Sequence, residues 1–296
     1  MNEPLLGAIE AGGTKFVCAV GTPSGTLLEQ TRIPTRHPAE TMRDVVSFFR
    51  ERGGELRGLG IGSFGPLDLK PDSPTYGYIT STPKLPWRDF DVVGAIKEAF
   101  PVPIGFDTDV NAAALAESRW GAAQGHQNIL YVTVGTGIGG GALIDGSLLH
   151  GLVHPEMGHI YVPHDRQADP FPGSCPYHGD CLEGLASGGA IAARWGVPPE
   201  TLPSDHPAFR LEAQYLGVAC MTWICMLSPE KIILGGGVMR PEMYPWIRSH
   251  AQTLLNGYVD APQLQAQIGE YIVPPGLGDR AGILGALALA ARACGL

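Results

Sequence analysis

The chain is poor in charge, in aromatic residues and in long apolar runs. Charged residues make up 17% of its 296 positions and aromatics 8%. The formal charge is −9 and no run of basic residues occurs, which disfavours a polyanion such as nucleic acid as partner. The longest apolar helix candidate, Ala213 to Leu227, is shorter than the roughly 20 residues a membrane span needs, so it reads as a buried core helix. The opening M-N-E-P-L-L has neither a basic start nor a long apolar stretch, so no secretory signal is read there. Only six cysteines occur, at 18, 175, 181, 220, 225 and 294, which excludes a disulfide scaffold in a chain of this length. A reducing, cytoplasmic compartment is the expectation. No linker of low complexity is present, and the Walker pattern G-x-x-x-x-G-K-[ST] is absent.

What the chain has is glycine, 41 residues of it, and a hydrophobic fraction of 44%, enough for a sizeable core. The length admits one large domain or two of ordinary size. Leu5 to Glu10, Phe16 to Val20 and Thr26 to Ile33 read as a meander of three strands, with the first hairpin closed by A-G-G-T. The plan recurs from Ile129: the strand I-L-Y-V-T-V, the loop G-T-G-I-G-G-G, a strand from Ala142 to Ile144, a D-G turn, then S-L-L. Two glycine-rich hairpins can coincide by chance, but a strand–loop–strand–turn–strand order read twice points to a duplicated domain. Helices are expected over Ala39 to Arg52 (stopped by Gly53 and Gly54), Phe90 to Phe100, Val110 to Trp120 and Gly282 to Ala293. Leu59 to Ile61 and Lys231 to Leu234 read as short buried strands, and Pro198 to Pro207 as an irregular surface insertion.

The densest chemistry lies between His159 and Cys181, in H-x15-C-P-Y-H-G-D-C. His159, Cys175, His178 and Cys181 are four soft or borderline ligands suited to a closed tetrahedral Zn²⁺ site. Incidental cysteines beside surface histidines are the plainer alternative; His154 and His164 are spare ligand candidates. Two carboxylates flank the loop, Glu156 and Glu183, which otherwise read as solvated surface acids.

Three strand ends are glycine-rich: Glu10-Ala11-Gly12-Gly13-Thr14-Lys15, Gly135-Thr136-Gly137-Ile138-Gly139 and Gly235-Gly236-Gly237. Such turns let bare amides approach a phosphate, Lys15 adds positive charge, and Glu10 could hold Mg²⁺. Each alone is a common turn, and G-T-G-I-G-G lies between strands, which does not fit a dinucleotide fingerprint. In D-T-D-V-N-A-A-A a strand end delivers Asp107, Asp109 and Asn111 just before an alanine helix. Asp109 could take a proton from a hydroxyl and Asn111 bond a neighbouring one; equally, Asp107, Thr108 or Asp109 could cap the helix.

Taken in order, A-I-E-A-G-G-T-K-F, I-G-S-F-G-P-L-D, S-T-P-K-L-P-W, D-T-D-V-N-A-A-A-L-A-E, V-T-V-G-T-G-I-G-G-G, H-P-E-M-G-H, C-P-Y-H-G-D-C-L-E-G-L-A-S-G and I-I-L-G-G-G-V make the chain resemble the ROK sugar kinases of the actin-like ATPase superfamily, specifically the bacterial fructokinase branch. The resemblance runs from about Leu5 to the last helix. Glu10 in place of the broad family's aspartate, and C-x-x-H-x-x-C in place of C-x-C-G-x-x-G-C, look like that branch; Ser187-Gly188-Gly189-Ala190 departs from its S-G-P-A.

The resemblance implies an α/β fold of two actin-like (ribonuclease H-like) domains with a cleft between them and a zinc-loop insertion. The boundaries it implies are 1–110 with the final helix, about 282–296, and 111–281. It implies transfer of a phosphoryl group from ATP, with Mg²⁺, to the 6-hydroxyl of fructose, with Asp109 as base and zinc in a structural role. Gly65, Lys84, Asn111, Glu156, His159 and Glu183 would meet the sugar, although Lys84 reads equally as an exposed lysine. Glu10, Gly12, Gly13, Thr14, Lys15, Thr136, Gly137, Gly189, Gly235, Gly236, Gly237, Val238 and Met239 would meet the nucleotide. A homodimer is implied as well. Glucose, mannose or N-acetylmannosamine are rival substrates for the same machinery. A sugar-sensing repressor is disfavoured because the first strand begins near Leu5, leaving no room for a helix-turn-helix. A zinc hydrolase would need an open metal site and would turn over without ATP.

Overall fold

The computed structural model describes residues 3–52 and 55–296; the expected helix stop at Gly53 and Gly54 lies outside them. Packing divides the chain into two compact units. One holds the chain up to Gln124 together with Leu148–Pro155 and Leu277–Leu296, the other Gly125–Ser147 and Glu156–Gly276.

The first unit opens with the meander β1 (Leu5–Ala11), β2 (Lys15–Gly21) and β3 (Leu27–Pro34), followed by α1 (Pro38–Arg52) and β4 (Leu56–Ser63). A small hairpin, β5 (Tyr78–Ile79) and β6 (Phe90–Asp91), precedes α2 (Val92–Ala99), β7 (Ile104–Thr108) and α3 (Asp109–Trp120). The sheet order is β3-β2-β1-β4-β7; the meander is antiparallel, while β1–β4 and β4–β7 are parallel. Alternation along β1 and β2 sends Ile9, Phe16, Cys18 and Val20 to one core and Leu6, Ala8, Val17 and Ala19 to the other. The expected helix from Phe90 begins only at Val92, because Phe90 and Asp91 pair with β5 and Asp91 accepts the Gly94 N–H as N-cap.

The second unit contains β8 (Ile129–Val134), β9 (Ile138–Ile144), β10 (Ser147–Leu148), α4 (Leu182–Ala186), α5 (Gly188–Trp195), α6 (Pro207–Leu227), β11 (Lys231–Gly235), α7 (Met243–Leu255), α8 (Ile268–Tyr271) and β12 (Ile272–Val273). Its sheet runs β10-β9-β8-β11-β12, an antiparallel hairpin pair continued by parallel strands, the same plan as in the first unit. Two local expectations change here. Ile138 to Gly141 belongs to β9 instead of a loop, because Gly139, Gly140 and Gly141 pair with Thr133, Val132 and Tyr131. The apolar helix starts at Pro207, six residues before Ala213, because Glu212 lies fully buried on Arg194 and does not mark a polar end. Among the described residues no helix is long and apolar enough to cross a membrane.

The last helix, α9 (Ala281–Ala293), returns to the first unit and covers the Leu6–Ala8 face of its sheet. It also packs on α3, which groups α3 with the first unit and carries that unit past residue 110 to Gln124. The approach is close: a Cβ on Gly60 of β4 would lie 1.8 Å from the Ala286 carbonyl oxygen. Gly60→Ala must therefore push α9 off the sheet. The expected loss is about 2 kcal/mol or more, read as a lower urea midpoint at unchanged slope.

Candidate active site and metal centre

In the first unit the hairpin tip is closed by the Gly12 N–H donating to the Lys15 carbonyl at 3.0 Å. Thr14 and Lys15 are exposed. Glu10, at the end of β1, points to the α9 face, where a Cβ on Gly282 would meet its carboxyl at 2.5 Å. Burial raises the Glu10 pKa, opposed by the charges of Lys15 and Arg32 and reinforced by Asp279. Lys84 runs along the same hairpin: a Cβ on Gly13 would lie 3.1 Å from its Cε. Lys84, expected beside the sugar, thus runs along the glycines of the first hairpin tip. In the same loop Trp87 is an anchor, 1% exposed, stacked near Phe16 and donating its Nε1 proton to the Arg36 carbonyl at 2.9 Å. Gly65 follows β4, and the ring of His154 lies against it while accepting the Leu67 N–H at 3.0 Å.

The β7–α3 junction resolves the capping question. Thr108 is the N-cap and accepts the Asn111 N–H at 3.1 Å. Asp107 is 2% exposed and anchors the junction: it accepts the Thr108 N–H and the Asn111 amide N–H, both at 2.8 Å. Asp109 is half-buried at the first position of the helix, where it accepts the Val110 N–H at 2.9 Å and the helix dipole favours its negative charge. Asn111 is 1% exposed and turns its amide to Asp107. Asp107 has another partner to which no sequence pattern points: the His150 Nε2 lies 2.8 Å from its second oxygen.

In the second unit three glycine segments meet around the end of β8. The Gly188 N–H donates to the Gly135 carbonyl at 2.7 Å and the Gly189 N–H to the Thr136 carbonyl at 3.2 Å. Gly236 has φ +99°, and a Cβ there would stand 2.3 Å from the Val134 carbonyl oxygen, so only glycine suits the position. The Val238 N–H donates to that same carbonyl at 3.0 Å, Met239 N–H to Gly236 at 3.1 Å, and Val238 itself is buried. Thr136, Gly189, Gly236 and Gly237 are exposed. The cluster therefore offers open backbone on a rigid strand end.

The four candidate metal ligands come together as the sequence spacing indicates. Their donor atoms all lie within 4.8 Å of one another. His159 Nδ1 stands 3.7 Å from Cys175 Sγ and 3.6 Å from Cys181 Sγ, and His178 Nδ1 3.7 Å from Cys175 Sγ. Those separations match the ~3.5 Å edges of a tetrahedron with zinc–sulfur and zinc–nitrogen bonds of ordinary length. Reciprocal bonds between Cys175 and Gly179 (φ +64°) make the knuckle. Burial pushes the Cys181 thiol up to about 11, opposed by the Gly184 amide, so a thiolate there calls for a bound cation. His164 and His154 are engaged elsewhere, His164 with Asp180 and the Asp169 carbonyl and His154 with Leu67.

His159 turns its other nitrogen, Nε2, toward Glu183, 3.9 Å away. The second oxygen of Glu183 accepts the Ile138 N–H at 2.9 Å, and a Cβ on Gly137 would meet it at 2.6 Å. One carboxylate thus links the metal group to the start of β9 and helps to orient the ring of His159. Glu156 is exposed one residue before the short turn Met157–His159, and its carbonyl accepts the His159 N–H at 3.0 Å.

The chain is 47% identical to a fructokinase of Zymomonas mobilis over 99% of its length and 98% of that protein's. It is 44% identical to a fructokinase of Pediococcus pentosaceus over 98% of both chains. The crystal structure of a ROK hexokinase from Thermus thermophilus superposes with a TM-score of 0.77 at 28% identity, covering 97% of each chain. The ROK family model matches residues 6–293, and the chain belongs to the ROK family.

Proposed function

We propose that this protein transfers the terminal phosphoryl group of ATP, accompanied by Mg²⁺, to the 6-hydroxyl of D-fructose. The observation that carries the reading is full-length similarity, 41–47% identical, to proteins named fructokinase. The geometry supports it: an acid at a helix start in one unit, and in the other open glycine backbone beside carboxylates.

In this reading Asp109 orients the sugar hydroxyl and accepts its proton. Phosphoryl transfer proceeds through a loose transition state, so positioning and charge neutralisation supply most of the rate. Gly13, Thr14 and Lys15, together with Thr136 and Gly137, offer amides and one ammonium to the phosphates; Gly12 and Gly189, whose N–H groups are held by the Lys15 and Thr136 carbonyls, let the backbone come close, and Lys84 adds a second cation, since it lies along Gly13. Gly235, Gly236, Gly237, Val238 and Met239 form the floor under the nucleoside, and Glu10 stands by the Mg²⁺ that comes with the nucleotide. Glu156 and Glu183 accept hydrogen bonds from the sugar's hydroxyls, as a polyol requires, and His159, with Nδ1 toward the metal, donates its Nε2 proton to a hydroxyl oxygen. His159, Cys175, His178 and Cys181 would hold Zn²⁺, which supplies a structural clamp without an open coordination position. The reaction belongs in a reducing compartment, where the two loop cysteines stay reduced and free to ligate the metal.

The test is a coupled ADP assay with fructose, glucose and mannose, with and without Mg²⁺. Fructose is expected to lead in kcat/KM by about tenfold or more, the scale of discrimination between related substrates. Turnover should vanish without Mg²⁺. A preference for glucose or mannose would replace the substrate assignment, and hydrolysis without ATP would end the kinase reading.

A further inference from the structure

Asp107 is a nearly inaccessible carboxylate with donors on every side, and one of those donors comes from far away in the sequence. Its first oxygen holds the Thr108 and Asn111 donors, and its second oxygen faces His150 Nε2 at 2.8 Å. His150 lies in Leu148–Pro155, the short segment that returns from the second unit's sheet to the first unit. The far end of that segment is fixed as well, by His154 on Leu67 and against Gly65. Two histidines four residues apart therefore hold the loop after β4 and the start of α3.

We propose that His150 is a positioning residue of the transfer reaction: it secures Asp107, and Asp107 secures Asn111 and the helix start that presents Asp109. The inference rests on the reading of Asp109 as the base. A buried carboxylate needs all its donors, because an acceptor left without one retains its full desolvation cost. Losing His150 would leave the second oxygen of Asp107 to seek another donor, and the nearest is Asn111, whose Nδ2 is also 3.4 Å from His150 Nε2. The helix start would shift with it.

The device is open to solvent on one side. The His150 side chain is 44% exposed, so its ring exchanges protons readily. The hydrogen bond to Asp107 raises its pKa, burial opposes this, the Asp107 charge adds to it, and Arg292 on α9 opposes it. Asp68, Lys70 and His154 share with it a cavity of about 340 Å³. The sign follows: the imidazolium is present at low pH, and the charge it sets against Asp107 is lost as pH rises through the raised pKa. Turnover should thus show a basic limb above the ordinary histidine range.

The experiment measures kcat and both KM values against pH for the wild type, His150→Ala and His150→Gln. The alanine variant is expected to lose about tenfold to a hundredfold in kcat, the scale of a small misplacement of reacting groups, with the KM for ATP unchanged. The glutamine variant keeps a neutral N–H for Asp107 but never the charge, so it should hold, at every pH, the reduced kcat that the wild type reaches above its basic limb. If the alanine variant fails to fold, the pH profile of the glutamine variant decides. Unchanged kcat in His150→Ala, or a basic limb surviving in His150→Gln, overturns the inference while leaving the function standing. A wild type inactive on every hexose overturns the functional reading instead.

Discussion

Replacing Asp109 by asparagine is expected to lower kcat with fructose and ATP by about 10² or more, the range for removal of a general base. The substitution is chosen because it changes little else. An asparagine oxygen still accepts the Val110 N–H that Asp109 accepts at 2.9 Å. Thr108 still caps the helix through the Asn111 N–H. The lost charge at the start of α3 costs about 0.3–1 kcal/mol of helix-dipole stabilisation, too little to unfold the protein. The prediction is therefore a split: kcat falls, the fructose KM moves little, and the thermal midpoint stays within a few degrees. Near-wild-type turnover with sugar affinity intact would show that Asp109 is not the base. Asp107→Asn should behave differently, because Asp107 is buried and its two oxygens serve three donors. Its cost should appear in stability as well as in rate.

The second large effect concerns the metal group. Cys175→Ala is expected to abolish stoichiometric zinc, measured by elemental analysis, and to reduce kcat/KM for fructose by about 10²-fold with a smaller change in the KM for ATP. Cys175 Sγ is the atom that stands within 3.7 Å of both His159 Nδ1 and His178 Nδ1, so its loss opens the group from two sides. His159 is then no longer held, and Glu183 loses the neighbour 3.9 Å from its carboxylate. The Ile138 amide keeps hold of Glu183 on the other side, which is why the nucleotide side should suffer later. Mild chelation should reproduce the order of events. Full activity in protein shown to contain no zinc would remove the structural role.

The parts of the fold that were legible in the sequence are those fixed by local chemistry. Glycine corners between alternating strands marked the two meanders, and ligand-type residues at short spacing marked the metal group. What escaped was set by distant partners. Gly139 to Gly141 look like a loop by composition, yet they form a strand because β8 supplies a complete ladder for them. Glu212 looks like the solvent side of a helix start, yet Arg194 pairs with it at 2.9 Å and α6 runs on through it. His150 has no pattern around it that points to Asp107; the pairing exists only after the chain has travelled out to a second sheet and back. In the active-site reading, Asp109 stood out because a helix start follows it at once. The course of the Lys84 side chain past Gly13 is likewise invisible in the sequence, which shows only its loop.

The return of α9 to the first sheet also governs how the protein must be made. A ribosome delivers Leu6 and Ala8 early, but the helix that shields them is encoded after the whole of the second unit. The nascent first unit therefore waits, with one apolar face uncovered, for most of translation. That interval favours binding by a holdase chaperone and makes truncations within Ala281–Ala293 far more aggregation-prone than their length implies.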